Sequence, residues 1–182
     1  TQVTSHHLCM NFFSIADSRN TREFEVASKN PVHPLNGHPE EPMNFTFETF
    51  VEDVRKAAAS SMPNEEIRLV LERYVADPEP IITATEVDGE DEIMLYQDEQ
   101  VSIWRCRFQP HVTMPPHEHR LKVHIAAYSG GEKNILFKRD GGQLKHERTH
   151  TVKAGEVFTL EDDGIHAVVA DGEAPSLALH VY

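Results

Sequence analysis

Cysteine is almost missing from this chain: 182 residues contain only Cys9 and Cys106. Two thiols cannot make a disulfide framework, so a reducing cytoplasm is the expected setting. Long apolar runs are missing too. No stretch reaches 18 apolar residues, so no membrane-crossing helix is expected. No basic segment followed by an apolar one opens the sequence, so no secretory signal is expected. Positive charge is scarce, with 17 Lys and Arg against 30 Asp and Glu and a net charge of −13. A surface that acidic repels phosphate backbones and argues against nucleic acid as a partner. There is neither an internal repeat nor a low-complexity segment, which excludes a solenoid.

What remains is the composition of one ordinary globular domain, 39% hydrophobic and 26% charged, long enough to bury a core. Histidine is the surplus. There are 12, and seven fall between His111 and His166. Neutral imidazole is the commonest protein ligand for first-row transition metals, so the cluster points to a metal site.

Three regions follow along the chain. Residues 1–43 mix Ser, Asn, Pro and charge without any period and are expected to be poorly ordered; His6, His7, His33 and His38 sit there and are poor ligand candidates. Residues 44–77 carry two amphipathic helical stripes, Phe47, Phe50, Val51 and Val54, then Ile67, Val70, Leu71, Tyr74 and Val75. Pro63, Glu65 and Glu66 mark the start of the second, and Asp77-Pro78-Glu79-Pro80 ends it. The pair is expected to cover one end of a sheet domain.

Residues 81–182 are expected to form an all-β barrel. Short runs rich in β-formers alternate with turns: Val101–Phe108, Val123–Tyr128, Asn134–Lys138, Thr149–Val152, Glu156–Leu160, Ile165–Val169 and Leu177–Tyr182. Ser129-Gly130-Gly131, Asp140-Gly141-Gly142 and Ala170-Asp171-Gly172 supply turns between them.

The chemistry centres on Pro115-Pro116-His117-Glu118-His119. Residues two apart on a strand share a face, so His117 and His119 can reach one ion together. Alone, this pattern equally describes two exposed strand histidines. A second stretch, from Gly155 to His166, runs from a glycine turn through a strand and an acidic turn into a returning strand that starts at His166. In a closed barrel that strand can lie beside the first, so three imidazoles converge on one side of a metal and leave the other side open for substrate.

The two stretches together resemble the paired motifs of the cupin superfamily, whose fold is the double-stranded β-helix, or jelly-roll barrel. His117, His119 and Gly131 keep the spacing of the first motif, with His111 at its opening glycine and His124 at its glutamate. Gly155 and His166 keep the spacing of the second, with Glu161 and Asp163 in place of its proline and glycine. Within that superfamily, residues 44–182 resemble the cysteine dioxygenase-like thiol dioxygenases. The likeness is carried by the helical preamble, Pro116-His117-Glu118-His119, Gly164-Ile165-His166-Ala167-Val168 and Leu179-His180-Val181-Tyr182.

The resemblance implies a mononuclear Fe(II) on His117, His119 and His166, with thiol and O2 at the open positions and a sulfinate as product. It also implies His180 and Tyr182 as catalytic neighbours of the metal. The same ligands would accept Zn, Ni, Cu or Mn.

The sequence departs from that family in three places. Ala178 stands where the family has serine, His124 stands where animal members have a cross-linked cysteine, and no arginine occupies Glu90–Tyr96 to hold a substrate carboxylate. Arg105 and Arg107 share parity with Ile103 and oppose Trp104, Cys106 and Phe108, the more apolar and hence inward set. A substrate other than cysteine is therefore expected.

Several residues keep two readings. His124 is either a fourth ligand, reached through a bulge, or a packed strand histidine. Tyr182 is either a hydrogen-bond donor beside the metal or a half-buried strand tyrosine. Arg120 and Lys122 attract an anion or form a solvated rim. Cys106 reads as core. His146, His150, Glu161, Asp162 and Asp163 read as surface. A β-dicarbonyl-cleaving dioxygenase, a lyase and a non-catalytic metal or small-molecule binder are the competing functions. The expected partners are a small-molecule substrate and O2, with a homodimer allowed, and with neither nucleic acid nor membrane.

Overall fold

The computed structural model describes residues 46–86 and 89–182. The N-terminal region expected to be poorly ordered, with His6, His7, His33, His38 and Cys9, lies outside the described residues.

The two helical stripes fold as read. Helix α1 spans Phe47–Ala58 and α2 spans Pro63–Val75. The Thr46 hydroxyl caps α1 by accepting from the Thr49 amide, and Pro63 occupies the first turn of α2, where no intrahelical donor is needed. Phe50 meets the edge of Tyr74 with ring centroids 5.1 Å apart. A third helix, α3 (Glu79–Thr85), follows at once. The prolines that end α2 also start α3, because a proline in the first helical turn costs no hydrogen bond.

Nine strands follow among the described residues: β1 (Glu92–Gln97), β2 (Ser102–Phe108), β3 (Met114–Glu118), β4 (Val123–Ser129), β5 (Gly131–Asp140), β6 (Gln143–Lys153), β7 (Val157–Leu160), β8 (Ile165–Ala170) and β9 (Ser176–Val181). They form a five-stranded sheet in the order β1-β2-β9-β4-β7 and a four-stranded sheet in the order β3-β8-β5-β6. Setting aside the edge strand β1, the remaining eight run first-eighth-third-sixth in one sheet and second-seventh-fourth-fifth in the other. That is the strand order of a jelly roll, and the fold is the double-stranded β-helix.

Strand parity divides the five-stranded sheet between two cores. Ile103, Ala126, Tyr128, Leu179 and Val181 point outward and pack with Phe50, Val54, Leu71 and Val75 of the helices. Val123, Ile125, Ala127 and Ala178 point inward with Leu136, Val152 and Leu160. The helices therefore cover the outer face of this sheet, not an end of it. A sheet apolar on both faces needs a second layer, and the helical stripe supplies it.

The β5–β6 hairpin is longer than the sequence suggested. Its tip is exposed on both faces, so no apolar alternation marks those residues as strand. Gly141 and Gly142, with φ of 58° and 82°, form the two-residue turn. Positive φ at both central positions matches the right-handed twist of a hairpin.

Candidate metal centre

Strand β3 lies at the edge of its sheet, where Pro115 and Pro116 cost no ladder hydrogen bond toward solvent. The ladder to β8 is irregular between Met114 and His117, then resumes with His117 opposite His166. His119 sits one residue past the end of β3. This register brings together the three histidines read from the sequence. Their available ring nitrogens all lie within 4.8 Å of one another. His166 Nε2 is 3.0 Å from both His117 Nε2 and His119 Nε2. His166 is fully buried, whereas His117 and His119 are half-buried toward the open side.

Hydrogen bonds on the far side of each ring decide what the convergent nitrogens carry. His117 Nδ1 is 3.0 Å from the Pro115 carbonyl oxygen, which only accepts, so Nδ1 holds the proton and Nε2 presents a lone pair. His166 Nδ1 is 2.7 Å from Asn134 Oδ1, whose amide nitrogen donates to Glu132 Oε1 over 2.9 Å. His166 Nε2 is then a bare lone pair as well. The Tyr182 hydroxyl, 3.3 Å from His119 Nδ1, can accept the proton that completes the pattern.

Two lone pairs 3.0 Å apart repel unless a cation lies between them. A proton is disfavoured there. Burial, then the neighbouring imidazoles, holds the His166 pKa down to about 2 and the His119 pKa down to about 3, and burial lowers that of His117. A metal ion fits. With bonds of about 2.1 Å, two nitrogens 3.0 Å apart are within reach of one ion, as His166 Nε2 is with each of its two neighbours. Ring N–H groups held by carbonyl oxygens are also what orients metal-binding histidines.

His124 is not part of this cluster. Parity turns Val123 and Ile125 inward and His124 outward, where its Nδ1 is 2.9 Å from the Thr159 hydroxyl. It is the packed strand histidine of the two readings. Residue 111, at the first motif's glycine position, has a φ of 62°, which explains why glycine suits that place. Arg105 faces outward and donates to the Glu90 carbonyl, so it too lies off the barrel interior. Arg120 and Lys122 form a paired rim, with Glu118 and Glu161 respectively. Cys106 is buried beside Phe108 and Val168, as a core residue. Glu161, Asp162 and Asp163 are an exposed turn, and His146 is exposed; His150 is instead half-buried against the Phe158 ring.

His180 and Tyr182 both point inward, two residues apart on β9 and its continuation. His180 is buried next to Phe108. Asn134 and Glu132 escaped the sequence reading. Their signal was there, a polar pair at alternate positions just before Leu136, but a strand assigned from Asn134 onward hid its periodicity.

Tyr182→Phe keeps the ring and removes only the hydroxyl. Metal affinity is expected to fall about tenfold, measured by chelator competition. Unchanged affinity and turnover would leave Tyr182 a packing role only.

No family model matches the chain, and no curated protein matches it. Among solved structures it is similar to a cupin superfamily protein from Desulfitobacterium hafniense, 16% identical over 56% of this chain and 85% of that one, with a TM-score of 0.43. It is also similar to an RmlC-like cupin from Methanocaldococcus jannaschii, 17% identical over 53% of this chain and 83% of that one, at 0.43. An oxalate decarboxylase from Lactobacillus farciminis is 22% identical over 44% of this chain and 23% of that one, at 0.38. At these identities the likeness concerns the fold alone.

Proposed function

We propose that the protein is a mononuclear non-haem Fe(II) dioxygenase that oxidises a small thiol to its sulfinate. Both atoms of O2 join the sulfur, RS⁻ + O2 → RSO2⁻, so no further reductant is needed. The observation that carries this reading is the set of three convergent imidazoles at one side of an otherwise open site, two of them with their lone pairs fixed inward by outer hydrogen bonds.

His117, His119 and His166 would hold the metal. All three are neutral ligands, so the ion keeps its full charge to attract a thiolate. When bound, Fe(II) supplies the redox chemistry that lets O2 react with a closed-shell thiol. The chain's own residues do the rest. Trp104, Cys106 and Phe108 line the inner wall with apolar surface that limits water. The Tyr182 hydroxyl, beside His119, would donate a hydrogen bond to an oxygen on the open side.

The substrate is expected to lack a carboxylate. Glu92 lies across from the inward-facing Cys106, so an anionic tail would be repelled and an amine tail attracted. Oxygen uptake by iron-loaded protein tests the whole reading, with cysteamine, cysteine, 3-mercaptopropionate, mercaptosuccinate and one β-diketone as substrates. Cysteamine is expected to outrun 3-mercaptopropionate by roughly tenfold, about 1.4 kcal/mol of discrimination. Uptake with the diketone alone would replace thiol oxidation by carbon–carbon cleavage. No uptake with bound iron would leave a lyase or a binding module.

A further inference from the structure

Two buried polar groups behind the triad have no role in the site as described. Glu132 is fully buried on β5, and its Oε2 has no hydrogen-bond partner. His180 Nε2 lies 4.0 Å from that oxygen and is also without a hydrogen bond. A carboxylate buried in a barrel interior costs several kcal/mol after relaxation. An apolar residue would fill the place at no such cost, so what Glu132 does for its one bonded neighbour is the question.

That neighbour is Asn134. We propose that Glu132 is a positioning residue that sets the tautomer of His166 through the Asn134 amide, an inference that rests on reading the triad as a metal site. A carboxylate oxygen accepts and does not donate. It therefore admits one orientation of Asn134, with Nδ2 toward Glu132 and Oδ1 toward His166. Oδ1 in turn demands the proton on His166 Nδ1, which leaves Nε2 free for the metal. Reverse the amide and the chain of consequences reverses. Nδ2 would meet His166 Nδ1, that nitrogen would have to be the acceptor, and the proton would move to Nε2, where it blocks the ion. Two hydrogen bonds thus carry information from a residue with no contact to the metal to the lone pair that binds it.

The test uses the full chain and no turnover. Imidazole 15N spectra of metal-free wild-type protein are expected to show His166 protonated at Nδ1. In Glu132→Leu the Nε2-protonated form is expected to appear, and Zn(II) affinity by chelator competition to fall about tenfold. Glu132→Gln still offers a carbonyl to Asn134 and is expected to stay within about threefold of wild type. Asn134→Leu breaks the same path, so the double variant Glu132→Leu/Asn134→Leu is expected to bind no more weakly than Asn134→Leu alone. Additive losses would overturn the proposal. So would a wild-type spectrum with the proton on Nε2, a Glu132→Leu protein with unchanged tautomer and affinity, or a tenfold loss in Glu132→Gln. If Glu132→Leu does not fold, the wild-type spectrum and Glu132→Gln still decide. Absence of thiol oxidation with these results intact would sink the substrate reading alone. Wild-type protein that takes up no Zn(II) would sink both.

Discussion

His166→Ala is expected to abolish metal retention and with it O2 uptake. Structural zinc sites are worth about 10–16 kcal/mol over four donors, so one donor carries about 2.5–4 kcal/mol, or roughly 10² to 10³ in affinity. His166 is the donor whose nitrogen stands 3.0 Å from both others, and it is the one fully buried. Its loss opens the cluster instead of trimming its edge. The variant also leaves Asn134 Oδ1 buried without its donor, at a further cost to stability of about 1–3 kcal/mol. Metal content after dialysis and O2 uptake of the iron-loaded protein are the two readings. His124→Ala serves as the control and is expected to retain metal at the wild-type level, because His124 faces away from the barrel interior. Equal metal content in His166→Ala and wild type would exclude the triad as the binding site.

Metal-free protein is expected to lose stability as the pH falls from about 6.5 toward 4, with His124 as one identifiable source. Burial, then the nearby Lys122, lowers its pKa from 6.5 to about 4. Between those values the unfolded chain binds a proton that the folded chain does not, so stability rises with pH across that window and is level above it. From pH 7 to pH 4.5 the shift corresponds to about 2 kcal/mol. The triad adds to the same trend in the absence of metal, since its histidines are also held neutral. His124→Gln separates the two contributions. Glutamine can keep a hydrogen bond to Thr159 but does not titrate, so the slope of unfolding free energy against pH, from urea titrations in chelator, is expected to flatten by that share. An unchanged slope would mean that His124 is protonated in the folded state.

Much of the site follows from local pattern. His117 and His119 are legible because a period of two is a property of any strand, and His166 because a glycine turn, a short strand and an acidic turn fix its distance from Gly155. The inward set Trp104, Cys106 and Phe108 was legible for the same reason, as apolar residues at alternate positions. The helices were legible from their stripes and prolines.

Other features depended on which strands become neighbours, and no local period encodes that. Strands β1 and β3 carry weak apolar alternation, one as an edge strand and one broken by two prolines, so only pairing reveals their extent. The direction of His124 was undecided because five residues separate it from His119 across a turn, and a turn resets parity; the ladder to β7 and β9 settles it. Glu132 and Asn134 acquire meaning only because β5 lies beside β8, with Leu136 opposite His166 and Asn134 opposite Val168. The sequence by itself determined the residue types and spacing from which a three-histidine centre could be built. The tertiary structure alone decided that the three nitrogens face one another and which groups stand behind them, because both are contacts between strands far apart in the chain.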